Sequence, residues 1–148
     1  MRAGVFFFFG MRYNKYNGSG TSGAELEDVR KKRMKIMVID GNSIINRAYH
    51  GIRPLSNHEG TPTNAVYGFL STLFKQQDEE RPDRTVVCFD VKEKTFRHLK
   101  FDTYKATRKP MDEELAVQMP IVKEVLDALG IVRCELAGYE ADDLLGTI

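Results

Sequence analysis

Asp40, Asp90 and the cluster Glu140, Asp142 and Asp143 each follow a run of apolar residues. The runs are Ile36-Met37-Val38-Ile39, Val86-Val87-Cys88-Phe89, and Ile131 to Leu136, the last reaching its acids through Gly138-Tyr139. Continuous Val/Ile/Leu/Phe stretches of this length read as strands buried on both faces, as in parallel sheets flanked by helices. Ligands of such sheets sit beyond the carboxyl ends of the strands. The acids are therefore expected to converge. Carboxylates gathered so closely repel one another too strongly to stay ionised unless divalent cations neutralise them, and hard oxygen donors suit Mg²⁺ or Mn²⁺. The chemistry to which this pattern points is phosphoryl transfer.

Each acid alone has a plain structural explanation. Asp40-Gly41 suits an Asx turn, Asp90 a cap or turn, and the acids of 140–143 the first turn of a helix. Capping, however, asks for one acid per helix and not three in four residues. At ~100° per residue, Glu140 and Asp143 share a helical face, whereas Asp142 lies roughly 200° from Glu140. Asp142 joins the same site only if Glu140 precedes the helix or a second metal is present.

The elements that must position these acids are legible in the spacing. Gly41, Asn42 and Ser43 suit a turn and helix cap leading into a short helix through Ile44, Ile45 and Tyr49. After a loop over residues 51–62, Thr63 suits the cap of a second helix. Its apolar positions Val66, Phe69, Leu70, Leu73 and Phe74 recur at helical spacing until Arg81-Pro82-Asp83 ends it. Leu115, Met119, Val122, Leu126 and Leu129 form a further helical stripe, within which Pro120 predicts a kink or a fresh start, and Gly130 ends it. The order β-α-β-α-β-α predicts a three-layer α/β domain with a mainly parallel central sheet.

Length allows one domain among the 148 residues, with residues 34–148 enclosing a modest core. Residues 1–33 carry seven Lys/Arg against three Asp/Glu, a Phe6-Phe7-Phe8-Phe9 run and a Gly/Ser-rich stretch, without sustained periodicity. They read as a disordered leader, and Met34 directly precedes the first strand. The remainder is net acidic, with fifteen Lys/Arg against eighteen Asp/Glu. Inside it, the segment from Lys92 to Lys109 reverses sign, with seven basic residues against two acids, and marks a polyanion contact. Cys88 and Cys134 fall in predicted strands as small hydrophobes, which suits a reducing cytoplasm. No apolar stretch approaches the roughly 20 residues of a membrane span, so no membrane partner is expected.

Four motifs, in order, carry a resemblance: Val38-Ile39-Asp40-Gly41-Asn42-Ser43; Phe89-Asp90 followed by Thr95-Phe96-Arg97-His98; Tyr104-Lys105-Ala106-Thr107-Arg108; and Gly138-Tyr139-Glu140-Ala141-Asp142-Asp143. Residues 34–148 resemble the 5′-nuclease domain found at the N-terminus of bacterial DNA polymerase I, a member of the flap endonuclease superfamily with a PIN-like fold. The resemblance implies a 5′–3′ exonuclease and flap endonuclease that hydrolyses DNA at 5′ flaps, nicks or single-stranded 5′ ends. Asp40, Asp90, Glu140, Asp142 and Asp143 would be its metal ligands, holding Mg²⁺ or Mn²⁺. Two ions about 4 Å apart would activate the attacking water and stabilise the leaving oxygen. Arg97, Lys105 and Arg108 would grip the scissile phosphate in catalytic roles. Lys92, Lys94, Phe96, Tyr104 and Lys109 would join them in binding DNA, the two aromatics by stacking on an unpaired base. The three-residue spacing of Lys105 and Arg108 predicts a helix presenting both.

The family also has a further acidic pair and a duplex-gripping helical element beyond the fourth motif, and a polymerase domain beyond those. On this reading residues 34–148 are the N-terminal part of the domain, incomplete at the C-terminus and low in activity. Two other readings stay open: a PIN-like ribonuclease, which shares the strand-end acids but needs no long basic segment, and a catalytically silent DNA-binding fragment.

Overall fold

The computed structural model describes residues 6–12, 33–101, 103–105 and 110–148. Its spine is a sheet in which β2 (Arg33–Asp40), β3 (Arg84–Cys88) and β4 (Val132–Cys134) run parallel, in that order. The register sets Asp40 opposite Cys88 and Cys88 opposite Cys134, so the three carboxyl ends finish level. The helices are α1 (Gly41–Gly51), α2 (Asn64–Glu80), α3 (Phe96–Lys100), α4 (Glu113–Ala128) and α5 (Ala141–Leu145).

Strand alternation sends neighbouring residues of the central strands into two cores. Met37, Ile39, Val87 and Phe89 pack with Ile45, Phe69, Leu73, Leu115, Val122 and Leu126, the inward stripes of α1, α2 and α4. Val38 and Cys88 face the other way, against Ala141 and Leu145 of α5. Burying a side chain such as Phe69 or Leu73 contributes about 1.5–3 kcal/mol, which is why the apolar runs of β2 and β3 are continuous rather than alternating. The result is the expected three-layer, mainly parallel α/β architecture. Among the described residues, no helix is long and apolar enough to cross a membrane.

Five local expectations are modified. Phe6–Arg12, inside the segment read as a leader, forms β1 and pairs antiparallel with β2, from Phe6 opposite Ile39 to Arg12 opposite Arg33. The open edge of a central strand presents a row of unmet backbone groups, and a β-prone aromatic run answers them without needing periodicity of its own. Residues 1–5 and 13–32 of that leader lie outside the described residues. The third strand is short, with Val132 and Leu136 exposed, because β4 lies at the sheet edge rather than between two neighbours. Next, α4 runs unbroken through Pro120. The proline sits on the exposed side, while Leu115, Gln118, Val122 and Leu126 hold the buried face together on either side of it. Leu129, placed in that stripe by spacing, is 47% exposed, since the helix has already ended at Ala128.

Finally, Thr63 occupies the N-cap position of α2 without making a side-chain cap hydrogen bond. Gln118 of α4 supplies the cap instead: its Oε1 accepts from the Ala65 and Val66 N–H groups at 2.8 and 3.2 Å. Its Nε2 donates to Asn64 Oδ1 at 3.0 Å, and Asn64 Nδ2 in turn donates to the Tyr49 carbonyl at 3.0 Å, near the end of α1. One buried amide therefore ties three helices together.

Candidate active site

Asp40 is both the last residue of β2 and the N-cap of α1, its Oδ1 accepting from the Ser43 N–H at 2.9 Å. The helix turns away immediately because Gly41 lacks a Cβ. One placed there would stand 2.5 Å from the Phe89 ring. Asp90, just beyond β3, is gripped from two directions. Its N–H donates to Asn42 Oδ1 at 3.1 Å, and its own Oδ1 accepts from the Ala141 N–H at 2.8 Å. That carboxylate bridges the end of one strand to the start of α5. The turn and cap explanations of the acids are thus real, and the same geometry aims them at a common space.

Glu140 precedes α5 as its N-cap, which satisfies the condition under which Asp142 shares its site. Asp40, Asp90, Glu140 and Asp142 line one open cavity of about 350 Å³ together with Asn42, Ser43, Asn46, Arg47, Lys105 and Ala141. Asp143 is not among the lining residues. It is turned toward Arg97, whose two terminal nitrogens donate to its two carboxylate oxygens at 2.6 Å each. Asp143 Oδ2 also accepts from the Glu140 N–H at 3.0 Å. Arg97 reaches Glu140 as well, at 3.8 Å. A planar guanidinium fork meeting a carboxylate edge-on is among the strongest side-chain pairings available, and this fixes where Asp143 points.

The basic residues expected at the entrance are partly here. Lys105 Nζ donates to Glu140 Oε1 at 2.9 Å, and the Tyr104 hydroxyl donates to Glu140 Oε2 at 3.0 Å. Lys105 stands in a turn with φ of 56°, not on the helix that its spacing to Arg108 predicts. Arg108 and Lys109 lie outside the described residues. Lys92 and Lys94 are exposed on the β3–α3 loop. His98 closes a capping box at the start of α3, its Nδ1 accepting from the Thr95 N–H at 3.1 Å. Phe96 is surface-exposed rather than core, with the Arg97 guanidinium 4.5 Å from its ring centroid.

Charge divides the acids into two groups. Burial, with the nearby Asp142 and Asp90 carboxylates adding to it, raises the Asp40 carboxyl above its ordinary range against the opposing Ser43 N–H bond. Glu140 goes the other way: burial opposes its ionisation, but the Lys105 and Tyr104 hydrogen bonds outweigh that and lower it. The Arg97 fork brings Asp143 down to about 2, and Asp143 raises Arg97 in return. So Glu140 and Asp143 are already neutralised by side chains, whereas Asp40 sits among carboxylates that oppose its charge.

That donor set fits a hard divalent cation. Among the described residues, no three His, Cys, Asp or Glu side chains stand close enough to enclose an ion as they lie. Asp40, Asp90, Glu140 and Asp142 nonetheless line the cavity with hard oxygen donors, the kind Mg²⁺ takes.

Asn42, Ser43, Asn46 and Arg47 were not singled out as site residues from sequence. A signal existed: positions 42, 43, 46 and 47 form a polar helical stripe opposite buried Ile44, Ile45 and Ala48.

Residues 35–148 match the family described as 5′-3′ exonuclease, N-terminal resolvase-like domain. The chain is 46% identical over 117 residues to DNA polymerase I of Bacillus subtilis (strain 168), covering 79% of this chain and 13% of that protein. It is 44% identical over 110 residues to a 5′-3′ exonuclease of Aquifex aeolicus (strain VF5), covering 74% of this chain and 38% of the relative. Against the thermostable DNA polymerase I of Thermus aquaticus the identity is 39% over 114 residues, 77% of this chain and 14% of the relative. The match thus spans well under half the length of each of these relatives.

Proposed function

The chain belongs to the family of 5′–3′ exonuclease N-terminal resolvase-like domains, and on that premise we propose that its acidic cavity hydrolyses DNA phosphodiesters at 5′ flaps, nicks or single-stranded 5′ ends with divalent metal ions. The observation that carries this reading is the meeting of Asp40, Asp90, Glu140 and Asp142, from three strand ends, around one cavity that also holds Lys105. Asp40, Asp90 and Asp142 would hold Mg²⁺ or Mn²⁺, with Glu140 completing the set. Such ions supply Lewis-acid polarisation of the phosphodiester and activation of a water, chemistry that needs no histidine base.

The chain's own residues do the rest. Asn42 and the Ala141 N–H fix the Asp90 carboxylate, and Ser43 fixes that of Asp40. Lys105 and Arg97, now paired with Glu140 and Asp143, and Arg47, which lines the cavity, would be cations for an incoming phosphate. Exchange of a carboxylate for a phosphodiester oxygen would keep each cation paired while drawing the DNA onto the cavity, and the carboxylate released would be free to face a metal ion. Lys92, Lys94, Arg108 and Lys109 would extend that contact along the strand. A polymerase domain in the same protein would use the product end.

The test is cleavage of a labelled 5′-flap duplex with Mg²⁺, with EDTA, and by Asp142→Ala. Cleavage that needs Mg²⁺ and disappears in the variant is expected. Turnover that survives EDTA, or a preference for RNA hairpins over DNA flaps, would overturn the assignment. The pairing of Glu140 and Asp143 with side-chain cations favours a second reading, a catalytically silent DNA-binding part. Flap binding without turnover at any metal concentration would select it.

A further inference from the structure

We propose that Cys88 and Cys134 are a site of reversible oxidative modification, at which a peroxide closes a disulfide between them and so loosens the seat of α5. The two residues are register partners at the ends of the parallel strands β3 and β4. They share one side of the sheet, where Cys88 is buried with Val38, Ala141 and Leu145, and Cys134 packs against that cluster. Both thiols are free. Neighbouring strands lie about 4.8 Å apart. That spacing falls inside the roughly 4.4–6.8 Å between Cα atoms that a disulfide accepts, but short of the about 5.5–6 Å it favours. A bond can therefore form there, under strain that makes it easy to reduce, which is the character of a labile disulfide rather than a structural one.

Access sets the order of events. Cys134 is half-buried on the edge strand, whereas Cys88 is fully enclosed, so peroxide meets Cys134 first. The Cys134 sulfur attacks one peroxide oxygen, the O–O bond breaks, and the other oxygen leaves as water with the thiol proton, making Cys134 a sulfenic acid. The Cys88 sulfur then displaces the sulfenic hydroxyl, which leaves as a second water carrying the Cys88 proton. Two thiols are oxidised and one peroxide is reduced. A dithiol such as dithiothreitol reverses the bond by exchange and becomes a cyclic disulfide itself.

The position gives this chemistry a consequence. Cys88 lies opposite Asp40 in the register and just before Phe89-Asp90. Ala141, packed in the same cluster as Cys88, donates its N–H to Asp90 Oδ1 at 2.8 Å and directly precedes Asp142. Closing the bond draws the two sulfurs to about 2 Å and takes volume from the cluster that seats Ala141 and Leu145. Those two are the buried residues of the five-residue α5, so the helix that carries Asp142 loses packing.

The experiment treats the whole chain with hydrogen peroxide, alkylates it under denaturing conditions and maps the cysteines without reduction. The chain has two cysteines, so an internal disulfide can join only these, and trypsin should release residues 85–92 linked to residues 134–148. Dithiothreitol should separate them. In Cys88→Ala, which keeps the strand apolar, dimedone should trap a sulfenic acid on Cys134. Amide exchange of α5, compared with that of α2, should quicken about 5- to 10-fold when wild type is oxidised, the factor expected of a methyl-sized gap. In Cys134→Ser it should not change. Thiols that both stay open to alkylation after peroxide overturn the site, as does a disulfide formed only between molecules. A link that dithiothreitol leaves intact overturns its reversibility, and a link without quicker α5 exchange overturns its reach to the cavity.

Discussion

Replacing Gln118 by Met should destabilise the fold well beyond what its position on one helix suggests. The side chain is fully buried, and Met preserves its volume and shape, so the change isolates the polar contacts. Four partners lose their bonds: the Ala65 and Val66 N–H groups, which open α2, Asn64 Oδ1 and the Glu114 carbonyl. Leaving a buried donor or acceptor unmet costs about 1–3 kcal/mol. The four contacts meet at one side chain, so the costs do not add in full. Burying the thioether in place of an amide returns about 1–2 kcal/mol. A net loss of about 2–4 kcal/mol is expected, a large share of the ~5–15 kcal/mol that holds a domain together. At ~2–4 °C per kcal/mol for a chain of this size, the melting point should fall by about 5–15 °C. Urea unfolding followed by circular dichroism, with the slope unchanged, measures the loss. A difference below about 0.5 kcal/mol would refute the idea that Gln118 caps α2. Because Asn64 passes the contact on to Tyr49 near the end of α1, protection of α1 amides in hydrogen exchange should fall as well.

The remaining predictions concern the cavity. Asp40→Asn should weaken Mn²⁺ binding on the order of tenfold or more in calorimetric titration, because one hard anionic donor is lost; unchanged affinity would remove Asp40 from the metal set. The same variant should be more stable than wild type at pH 7. A carboxyl whose folded pKa is raised contributes stability at low pH that is lost as pH rises through that value, so the advantage should shrink on acidification. Asp143→Asn should behave oppositely. Its carboxyl is lowered from 3.8 to about 2 by Arg97, so the wild type gains stability above the unfolded value and loses it as pH falls toward about 2. The variant should be about 1–2 kcal/mol less stable at pH 7, allowing for solvent screening of a partly exposed pair, and equal to wild type near pH 2; a gap constant with pH would break the argument. Lys105→Ala should weaken flap-DNA binding and reduce the slope of log K against log salt by about 0.7–0.9, as one phosphate contact is lost. A wild-type slope in anisotropy titrations would place the DNA contact elsewhere.

The sequence by itself determined which residues could do chemistry and where the sheet would bring them. Apolar runs ending in Asp40 and Asp90 state the strand ends directly, because burial on two faces leaves no room for polar alternation, whereas the run before Glu140 overstates the short edge strand β4. The helical stripes of α1 and α2 were legible for the same reason, as periodicity is a local property of the chain, except at Phe74, which spacing places in the α2 stripe and which stands 47% exposed. What the tertiary structure decided depends on residues far apart in sequence. Asp143 is separated from the cavity's acids by a pairing with Arg97, 46 positions away, and no spacing rule contains that partner. Gln118 looks like an ordinary polar residue in a helical pattern until α4 crosses the start of α2, 53 positions earlier. The edge position of β4, and the use of Phe6–Arg12 to cover the free edge of β2, follow from strand order, which local pattern does not encode. Coulombic attraction and hydrogen bonding fall off within a few ångströms, so the division of the acids into paired and unpaired members was set only when the chain had brought its cations within reach.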